Sequence, residues 1–348
     1  MFVKWMKILG MALIGCILVK PIISQAAGNS EEHVFEAEED MIAYIDVAVA
    51  TLWTEPNILR EVDQPSASNP VAIWKWKEDM TYEQELQLSG DGMLETQALY
   101  GNKVTILETE GEWVKVAVDG QPTPKEELGY SGWMPASQLT YTTKFANKTD
   151  DPFVMVDAPT SYLYHTPAFR HQGMEISYNT RLPYLGESKH AYRVMLPSGS
   201  HAWVKKADAK TYESQKAIPT PTGQALVEAG KQFLGLHYLW AGMSGFGFDC
   251  SGFTFTLYQS HGITIPRDSS IQATHGEPVA YEDIQPGDLL FFAHDQGKGS
   301  VHHVAMYAGD GKMIHSPNSK KDVEIIPVTT KGYYEKLSGI RRYLSKTD

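Results

Sequence analysis

Apolar positions change their period along the chain, and the changes divide it. Ile8 to Val19 is an apolar run of twelve, too short to cross a bilayer comfortably. A polar, acidic stretch from Asn29 to Asp40 follows. From there to about residue 210 the apolar residues alternate over short runs rich in Trp, Tyr and Val, with frequent turns, which predicts short strands. Lys205 to Gly223, with Pro219 and Pro221, reads as a linker. Leu226, Val227, Gly230, Phe233 and Leu234 then make a helical stripe over Gln224 to Leu234. Phe253, Leu257 and Tyr258 predict a second helix from Ser251 to His261, stopped by Gly262. Alternation returns in His303-Val304-Ala305-Met306-Tyr307 and in Lys312-Met313-Ile314-His315. Gly309-Asp310-Gly311 lies between them, so the pair reads as a hairpin.

The β-rich region contains an internal repeat. Leu52-Trp53-Thr54-Glu55-Pro56 matches Leu163-Tyr164-His165-Thr166-Pro167, and Val104-Thr105-Ile106-Leu107 matches Leu182-Pro183-Tyr184-Leu185. Val114-Lys115-Val116 matches Tyr192-Arg193-Val194 at the same offset, and Gly132-Trp133-Met134 matches Ala202-Trp203-Val204. Each unit is a set of alternating strands closed by a Trp-containing strand, which suggests a small barrel. The first unit carries an insertion of about 33 residues, holding Trp74, Trp76, Tyr82 and several acids. It also has a longer loop, Gly120 to Leu128, before its last strand. Long loops in compact domains are usually functional or disordered, and the aromatic content argues against disorder. The aromatics either pack on the barrel or serve a site.

Composition adds two limits. With 42% apolar and 21% charged residues the chain is an ordinary globular protein, and its 348 residues suggest two or three domains. The formal net charge of −12 argues against nucleic-acid phosphate or anionic lipid as a partner surface. At the front, Lys4 and Lys7, the apolar run and the small residues of Ser24-Gln25-Ala26 have the form of a signal peptide over residues 1–27. A retained anchor and lipidation at Cys16, within Leu13-Ile14-Gly15-Cys16, remain alternatives. All three place the body of the protein outside the cytoplasmic membrane, in the envelope or medium. A membrane is a partner only if the N-terminus is retained or Cys16 lipidated.

Once residues 1–27 are removed, Cys250 is the sole remaining cysteine. It cannot take part in an internal disulfide, so it is either an inert buried thiol or a nucleophile. Its predicted place at a helix N-terminus favours thiolate, and the free N–H groups there can hold an oxyanion. Glycines at 245, 247 and 252 let a backbone come close. The hairpin histidines supply the rest. A three-residue loop sets Ala305 opposite His315, with His303 diagonal on the same face. A loop over 308–310 sets the histidines directly opposite, with Cβ atoms roughly 5 Å apart. A two-residue Asp310-Gly311 loop would put them on opposite faces. With the right parity, Cys250, His303 and His315 supply nucleophile, base and orienting group. Zinc on Cys250 with His294, His302, His303 or His315 is not expected, since His302 and His303 alternate across a strand and no metal-ligand spacing occurs. No cofactor is expected.

Two family resemblances follow from quoted motifs. Gly101-Asn102-Lys103-Val104-Thr105-Ile106-Leu107, Gly111-Glu112-Trp113-Val114-Lys115-Val116 and Gly129-Tyr130-Ser131-Gly132-Trp133-Met134 resemble bacterial SH3-like (SH3b) domains. The second unit is a poorer match, with Pro183 inside a strand and Ala202 where glycine is usual. Phe248-Asp249-Cys250-Ser251-Gly252-Phe253, Pro286-Gly287-Asp288-Leu289-Leu290-Phe291-Phe292, His303-Val304-Ala305-Met306-Tyr307 and Ile314-His315 resemble the NlpC/P60 cysteine peptidases. Tyr238-Leu239-Trp240-Ala241-Gly242 and Pro266-Arg267-Asp268-Ser269 also match. The resemblance implies an α+β papain-like catalytic domain preceded by two small all-β SH3-like barrels. The expected layout is a signal peptide at 1–27, SH3b domains at 28–145 and 150–212, a linker at 213–223 and the peptidase domain at 224–348.

The resemblance further implies hydrolysis of bonds in peptidoglycan stem peptides, with Cys250 as nucleophile, His303 as base and His315 as orienting residue. Tyr238 would help hold the oxyanion. Trp240, Asp249, Ser251, Asp268 and Ser269 flank the cleft as candidate substrate contacts, while Arg267 reads equally well as an ion-pair partner. The subfamily with SH3b domains in front resembles γ-D-glutamyl-L-diamino acid endopeptidases, whose first SH3b domain admits peptides with a free N-terminal L-Ala. Glu95 and Tyr130 are the candidate amine contacts here, because an ammonium needs a carboxylate or an aromatic face. The other functional readings are a wall-binding protein with a dead catalytic domain, a hydrolase of intact peptidoglycan, and the same fold acting as an amidase or acyltransferase.

Overall fold

A computed structural model describes residues 38, 41–149 and 152–344. The signal-peptide reading of residues 1–27 and the lipidation reading of Cys16 lie outside the described residues.

The two β units share one topology, down to an irregularity. In the first, β1 (Ile42–Ile45), β2 (Val49–Trp53), β3 (Leu94–Leu99), β4 (Lys103–Glu110), β5 (Trp113–Val118), β6 (Tyr130–Pro135) and β7 (Leu139–Thr140) lie in the order β3-β2-β6-β5-β4-β1-β7. In the second, β8 (Phe153–Val156), β9 (Thr160–Tyr164), β10 (Gln172–Ser177), β11 (Arg181–Glu187), β12 (Ala191–Met195), β13 (His201–Lys205) and β14 (Ala209–Tyr212) repeat it as β10-β9-β13-β12-β11-β8-β14. Residues aligned in the repeat pair with aligned partners. Trp53 faces Trp133 as Tyr164 faces Trp203, and Val116 faces Gly132 as Val194 faces Ala202. Both units shift register at the same place, between Ile106 and Glu108 and between Tyr184 and Gly186. A bulge there bends a long strand, the device by which a short sheet turns a barrel corner. Pro183, which cannot donate to a ladder, still sits within β11 opposite Phe153.

The insertion folds as helices rather than strands. Its main elements are α1 (Ile73–Asp79) and α2 (Tyr82–Gly90). Thr81 caps α2, accepting from the Gln84 N–H while the Gln84 side chain accepts from the Thr81 N–H. Its aromatics divide between packing and surface. Trp76 is fully buried, 6.2 Å from the Trp53 ring, and its Nε1 donates to Asp63 at 2.9 Å. Trp74 is half exposed and reaches across to Glu175 of the second barrel at 2.9 Å.

The third domain carries α3 (Gly223–Lys231), capped by Thr222, and α4 (Cys250–Ser260), capped by Asp249. Both pack on a sheet whose main strands are β15 (Leu289–Ala293), β16 (Val301–Gly309), β17 (Lys312–His315), β18 (Glu324–Pro327) and β19 (Leu337–Arg342). In that sheet β19-β15-β16-β17-β18 run side by side, all antiparallel. One face buries Val304, Met306 and Ile314 against Phe253 and Leu257 of α4.

Neither barrel is a detached module. Leu239, Ala241 and Phe246 of the third domain share one apolar cluster with Trp53, Trp76, Trp113 and Trp133. The Gln97 side chain accepts from the Met243 N–H at 3.1 Å. From the second barrel, Tyr178 packs with Phe233 and its hydroxyl meets Ser260 at 2.7 Å. The Arg181 guanidinium donates to the Gln259 carbonyl near the C-terminus of α4, where the helix dipole favours a cation.

Candidate active site

Cys250 is the first residue of α4 and is buried. The Asp249 carboxylate accepts from the Gly252 N–H at 2.6 Å and from the Ser251 hydroxyl at 3.2 Å. Gly252 has no alternative, because a Cβ there would lie 2.1 Å from the Gly242 carbonyl oxygen. The remaining Asp249 valence goes to Arg267, whose Nη2 donates at 2.7 Å. Arg267 is 1% exposed and also donates to Ser251 Oγ at 2.9 Å and to Thr96 Oγ1 of the first barrel at 3.1 Å. Asp249 and Ser251, read from sequence as cleft contacts, are therefore buried members of an ion-paired frame beneath the helix start. Arg267 takes its ion-pair reading.

The same frame corrects the expected charge state of the thiol. Burial, with the Asp249 carboxylate adding to it, pushes the Cys250 thiol up to about 12. The Val304 and Ser251 N–H groups and Arg267 act in the opposite direction and are outweighed. The helix N-terminus does present its N–H groups to the sulfur, as a dipole argument requires. In this dry site desolvation and a neighbouring anion prevail. Cys250 therefore rests as a thiol, and its proton must be taken by a base.

A candidate base, His303, lies one residue from the N–H that reaches the sulfur. His303 precedes Val304 on β16, and its Nε2 is 2.8 Å from His315 Nδ1 on β17. The parity that brings the rings together arises differently from a three-residue loop. Gly309 pairs with Lys312 across a two-residue Asp310-Gly311 turn, both residues at positive φ (50° and 68°). A two-residue turn alone would separate the histidines. A bulge at Ala308 inserts one residue, so that Tyr307 pairs with Met313 and Met306 with Ile314. Continued inward, that register sets Ala305 opposite His315 and leaves His303 diagonal to it.

Burial first, and the neighbouring His315 second, hold His303 well below the ordinary imidazole range. His315 is driven down to about 4 by burial, against the pull of Glu324. Both rings are neutral near pH 7, and one proton lies between Nε2 and Nδ1. Among the described residues nothing hydrogen-bonds His303 Nδ1. If Nε2–H donates to His315 Nδ1, the second ring carries its proton on Nε2 and His303 Nδ1 is free to accept one. The His315 Nε2 side faces Glu324 Oε1 at 3.5 Å, too long for a well-formed hydrogen bond, so this buried nitrogen lacks a close partner. Glu324 sits there because it pairs directly with His315 across β17 and β18. Tyr333 packs on both rings, at 5.6 and 5.1 Å between centroids. Sequence reasoning missed Glu324 and Tyr333. A carboxylate at the first position of a four-residue strand is not distinctive until its strand partner is known. His294 and His302 stack on each other at 4.2 Å as a separate pair.

Tyr238 is 7% exposed, and its phenol is held protonated by burial, with Cys250 and Asp249 reinforcing. It borders a cleft of about 490 Å³ together with Trp240, His303, Tyr333, Tyr82 of the inserted helix and Lys336. Trp240 and Tyr82 thus bring two domains to one opening. A second polar cluster joins the first barrel to the loop after Arg267. Tyr130 Oη donates to Asp268 at 3.0 Å, and Lys125 Nζ lies 3.3 Å from both Glu95 Oε2 and Tyr130 Oη. Tyr130 is buried, and burial, followed by the Asp268 charge, keeps its hydroxyl protonated. Ser269 opens the short helix that follows Asp268. The structure therefore gathers Glu95, Tyr130 and Asp268, and adds Lys125, which the sequence did not single out.

Comparisons with known proteins match three parts of the chain. Residues 235–342 match the model of the NlpC/P60 family, residues 156–212 that of the YKFC SH3b2 domain, and residues 89–139 that of the bacterial dipeptidyl-peptidase Sh3 domain. The last match begins at the end of the second inserted helix. A γ-D-glutamyl-L-lysine dipeptidyl-peptidase of Bacillus cereus is 59% identical over 89% of this chain and 93% of its own length. One of Bacillus subtilis is 40% identical over 86% of this chain and 98% of its own. The crystal structure of an NlpC/P60 family protein from Bacillus cereus superposes with a TM-score of 0.86 at 59% identity, covering 88% of this chain and all of that one.

Proposed function

The chain belongs to the NlpC/P60 family of cysteine peptidases, and on that premise we propose that it hydrolyses the bond between γ-D-glutamate and the L-diamino acid of cell-wall stem peptides. Two relatives that share nearly their whole length with it are named for that reaction at L-lysine. The observation that carries the catalytic assignment is the His303–His315 pair, 2.8 Å between ring nitrogens, on the strand whose Val304 N–H reaches the thiol at the start of α4.

In this reading Cys250 is the nucleophile, His303 the base and His315 the positioning residue. His303 Nδ1 takes the thiol proton as sulfur attacks the γ-carbonyl carbon and the carbonyl π pair moves to oxygen. The Ser251 N–H at the helix start and the Tyr238 hydroxyl are the donors for that oxygen. His315 Nδ1 accepts from His303 Nε2–H, and Glu324 offsets the imidazolium charge that develops. Collapse breaks the C–N bond, and the His303 proton passes to the leaving amine. A water that loses its proton to His303 then attacks the thioester, releasing the glutamyl carboxylate and restoring the thiol.

The first barrel defines the other end of the substrate. Glu95, Tyr130 and Asp268 present a carboxylate, an aromatic face and a second carboxylate, which is the chemistry of ammonium recognition. They suit the N-terminal ammonium of L-Ala-γ-D-Glu peptides, so the enzyme removes a dipeptide from released peptides with a free N-terminus. One experiment tests both parts. L-Ala-γ-D-Glu-L-diamino acid peptides, free and N-acetylated, are incubated with wild type and with Cys250→Ser. The expected outcome is cleavage of the free peptide by wild type, at least tenfold slower cleavage of the acetylated one, and none by Cys250→Ser. Cleavage by the variant removes Cys250 from the chemistry. Equal rates on the two peptides remove the amine subsite while leaving the hydrolase assignment standing.

A further inference from the structure

The cluster that suits a substrate ammonium already holds one, and it belongs to the protein. Lys125 Nζ is 3.3 Å from Glu95 Oε2, 3.3 Å from Tyr130 Oη and 5.2 Å from the centre of the Tyr130 ring. Tyr130 in turn donates to Asp268. A primary ammonium therefore sits among the carboxylate, hydroxyl and π-face that the amine subsite offers. Among the described residues Glu95 has no other cationic partner.

The loop that carries Lys125 is built to deliver it. The connection between β5 and β6 is tied to the third domain at its beginning. The Gly120 carbonyl accepts from Gln259 Nε2 at 3.2 Å, and the Pro122 carbonyl accepts from the Arg267 N–H at 3.1 Å. Gln121 is buried and holds the Gln97 carbonyl at 2.7 Å. At the other end, Tyr130 is fixed by Asp268. Between these anchors a Thr123–Glu126 bridge closes a tight bend that holds Lys125. The Lys125 side chain is 58% exposed at a Glu95 side chain that is itself 26% exposed. A fixed loop with a mobile, solvent-accessible four-carbon arm keeps an ammonium at high local concentration without locking it in place.

We propose that Lys125 is a tethered competitor for the amine subsite: its ammonium stands where the substrate's N-terminal ammonium binds, and substrate enters by displacing it. This rests on the amine-recognition reading above. Lys125 occupies Glu95 Oε2, the Tyr130 hydroxyl and the Tyr130 ring, and a second ammonium there meets its like charge, so the apparent affinity for substrate is the intrinsic affinity scaled by the fraction of molecules in which Lys125 has swung out. An ion pair this exposed is weak, so that fraction is substantial and the penalty is about two- to fivefold. While substrate is absent, the lysine pairs with the Glu95 carboxylate and keeps other cations from settling there. A weak internal ligand is replaced only by one that also fills the rest of the cleft.

The test is steady-state kinetics on full-length enzyme with free-amine L-Ala-γ-D-Glu-L-diamino acid peptide, comparing wild type, Lys125→Met and Lys125→Arg. The inhibition constant of the dipeptide L-Ala-γ-D-Glu is measured in parallel as a binding probe free of chemistry. The expected result for Lys125→Met is a two- to fivefold fall in both KM and the dipeptide's inhibition constant, without a matching change in kcat. Lys125→Arg, which keeps a tethered cation, should stay near wild type in both. An unchanged or raised KM in Lys125→Met overturns the proposal, and a rise would mark Lys125 as a substrate contact instead. The amine reading fails separately, by equal rates on free and acetylated peptide with wild-type enzyme.

Discussion

At the scale of single residues, the proposed mechanism gives two neutral groups the work that a thiolate–imidazolium pair would otherwise do. Cys250 is raised to about 12 by burial and the Asp249 charge, and His303 is lowered by burial and His315. The thiol therefore outranks the imidazole in proton affinity, and the proton stays on sulfur until a carbonyl arrives. The sign of the pH dependence follows. A raised thiol pKa means that thiolate grows only as pH climbs toward about 12. A thiolate–imidazolium pair would instead leave a reactive plateau from acid pH upward. Alkylation of Cys250 by iodoacetamide in ligand-free enzyme is therefore expected to be slow at pH 5–7 and to rise roughly tenfold per pH unit above pH 8. A pH-independent alkylation rate between pH 5 and 8 would show that the pair is ionic. Asp249 explains why the helix N-terminus does not win. It caps that terminus with its own negative charge, and Arg267 offsets only part of it.

At the scale of elements, small irregularities place the side chains that matter. The bulge at Ala308 is one residue long, yet without it His303 and His315 would face opposite sides of the sheet. In the first barrel, Gly132 on β6 performs a comparable service. A Cβ there would lie 2.8 Å from Leu52 Cβ, 3.2 Å from the Trp53 carbonyl oxygen and 3.3 Å from Glu95 Cβ. The absence of a side chain lets β2 and β3 close over β6 and brings Glu95 up beside Tyr130. Gly132→Ala is expected to destabilise the protein by about 1–3 kcal/mol through overpacking. Because Glu95 is one of the displaced groups, KM for the free-amine peptide should rise several-fold while kcat changes little. Denaturant unfolding together with steady-state kinetics checks both; a loss of stability with unaltered KM would show that Glu95 does not depend on this contact. The second barrel has Ala202 at the equivalent position, and its Tyr178 and Arg181 reach Ser260 and Gln259, consistent with a role in support of α4.

At the scale of the whole molecule, the site depends on contacts between domains. Arg267 pairs with Asp249 beneath Cys250 and donates to Thr96 of the first barrel, while its own N–H holds Pro122 in the Lys125 loop. Removing the guanidinium leaves the Asp249 carboxylate buried without a counter-ion. Arg267→Leu should therefore cost about 3–5 kcal/mol of stability. It should also raise KM, because the loop and α4 lose their common anchor. Calorimetry and kinetics on the same preparation test this. An unchanged melting temperature would mean that the network is dispensable. The shared cluster of Leu239, Ala241 and Phe246 with the barrel tryptophans points the same way, since separating the domains would expose that apolar face to water.

Much was legible in the sequence because it is local or repetitive. A repeat offset reports topology, and both barrels follow it strand for strand, including the matched bulges. A helical stripe ended by Gly262 reports that Cys250 stands at the start of α4, because helix periodicity depends on neighbours a few residues apart. Period-two alternation reports that His303 and His315 lie on strands. What it could not report was the parity between those strands, since one bulged residue reverses it and carries no signature of its own. Nor could it report Glu324, Lys125 or the inward turn of Asp249. Those depend on pairings between residues far apart in the chain, and only the packed structure decides which charge meets which. The charge state of Cys250 belongs to the same class. A helix terminus is written in the sequence, but the dryness around it and the anion beside it come from the tertiary fold, and they set the direction of the shift.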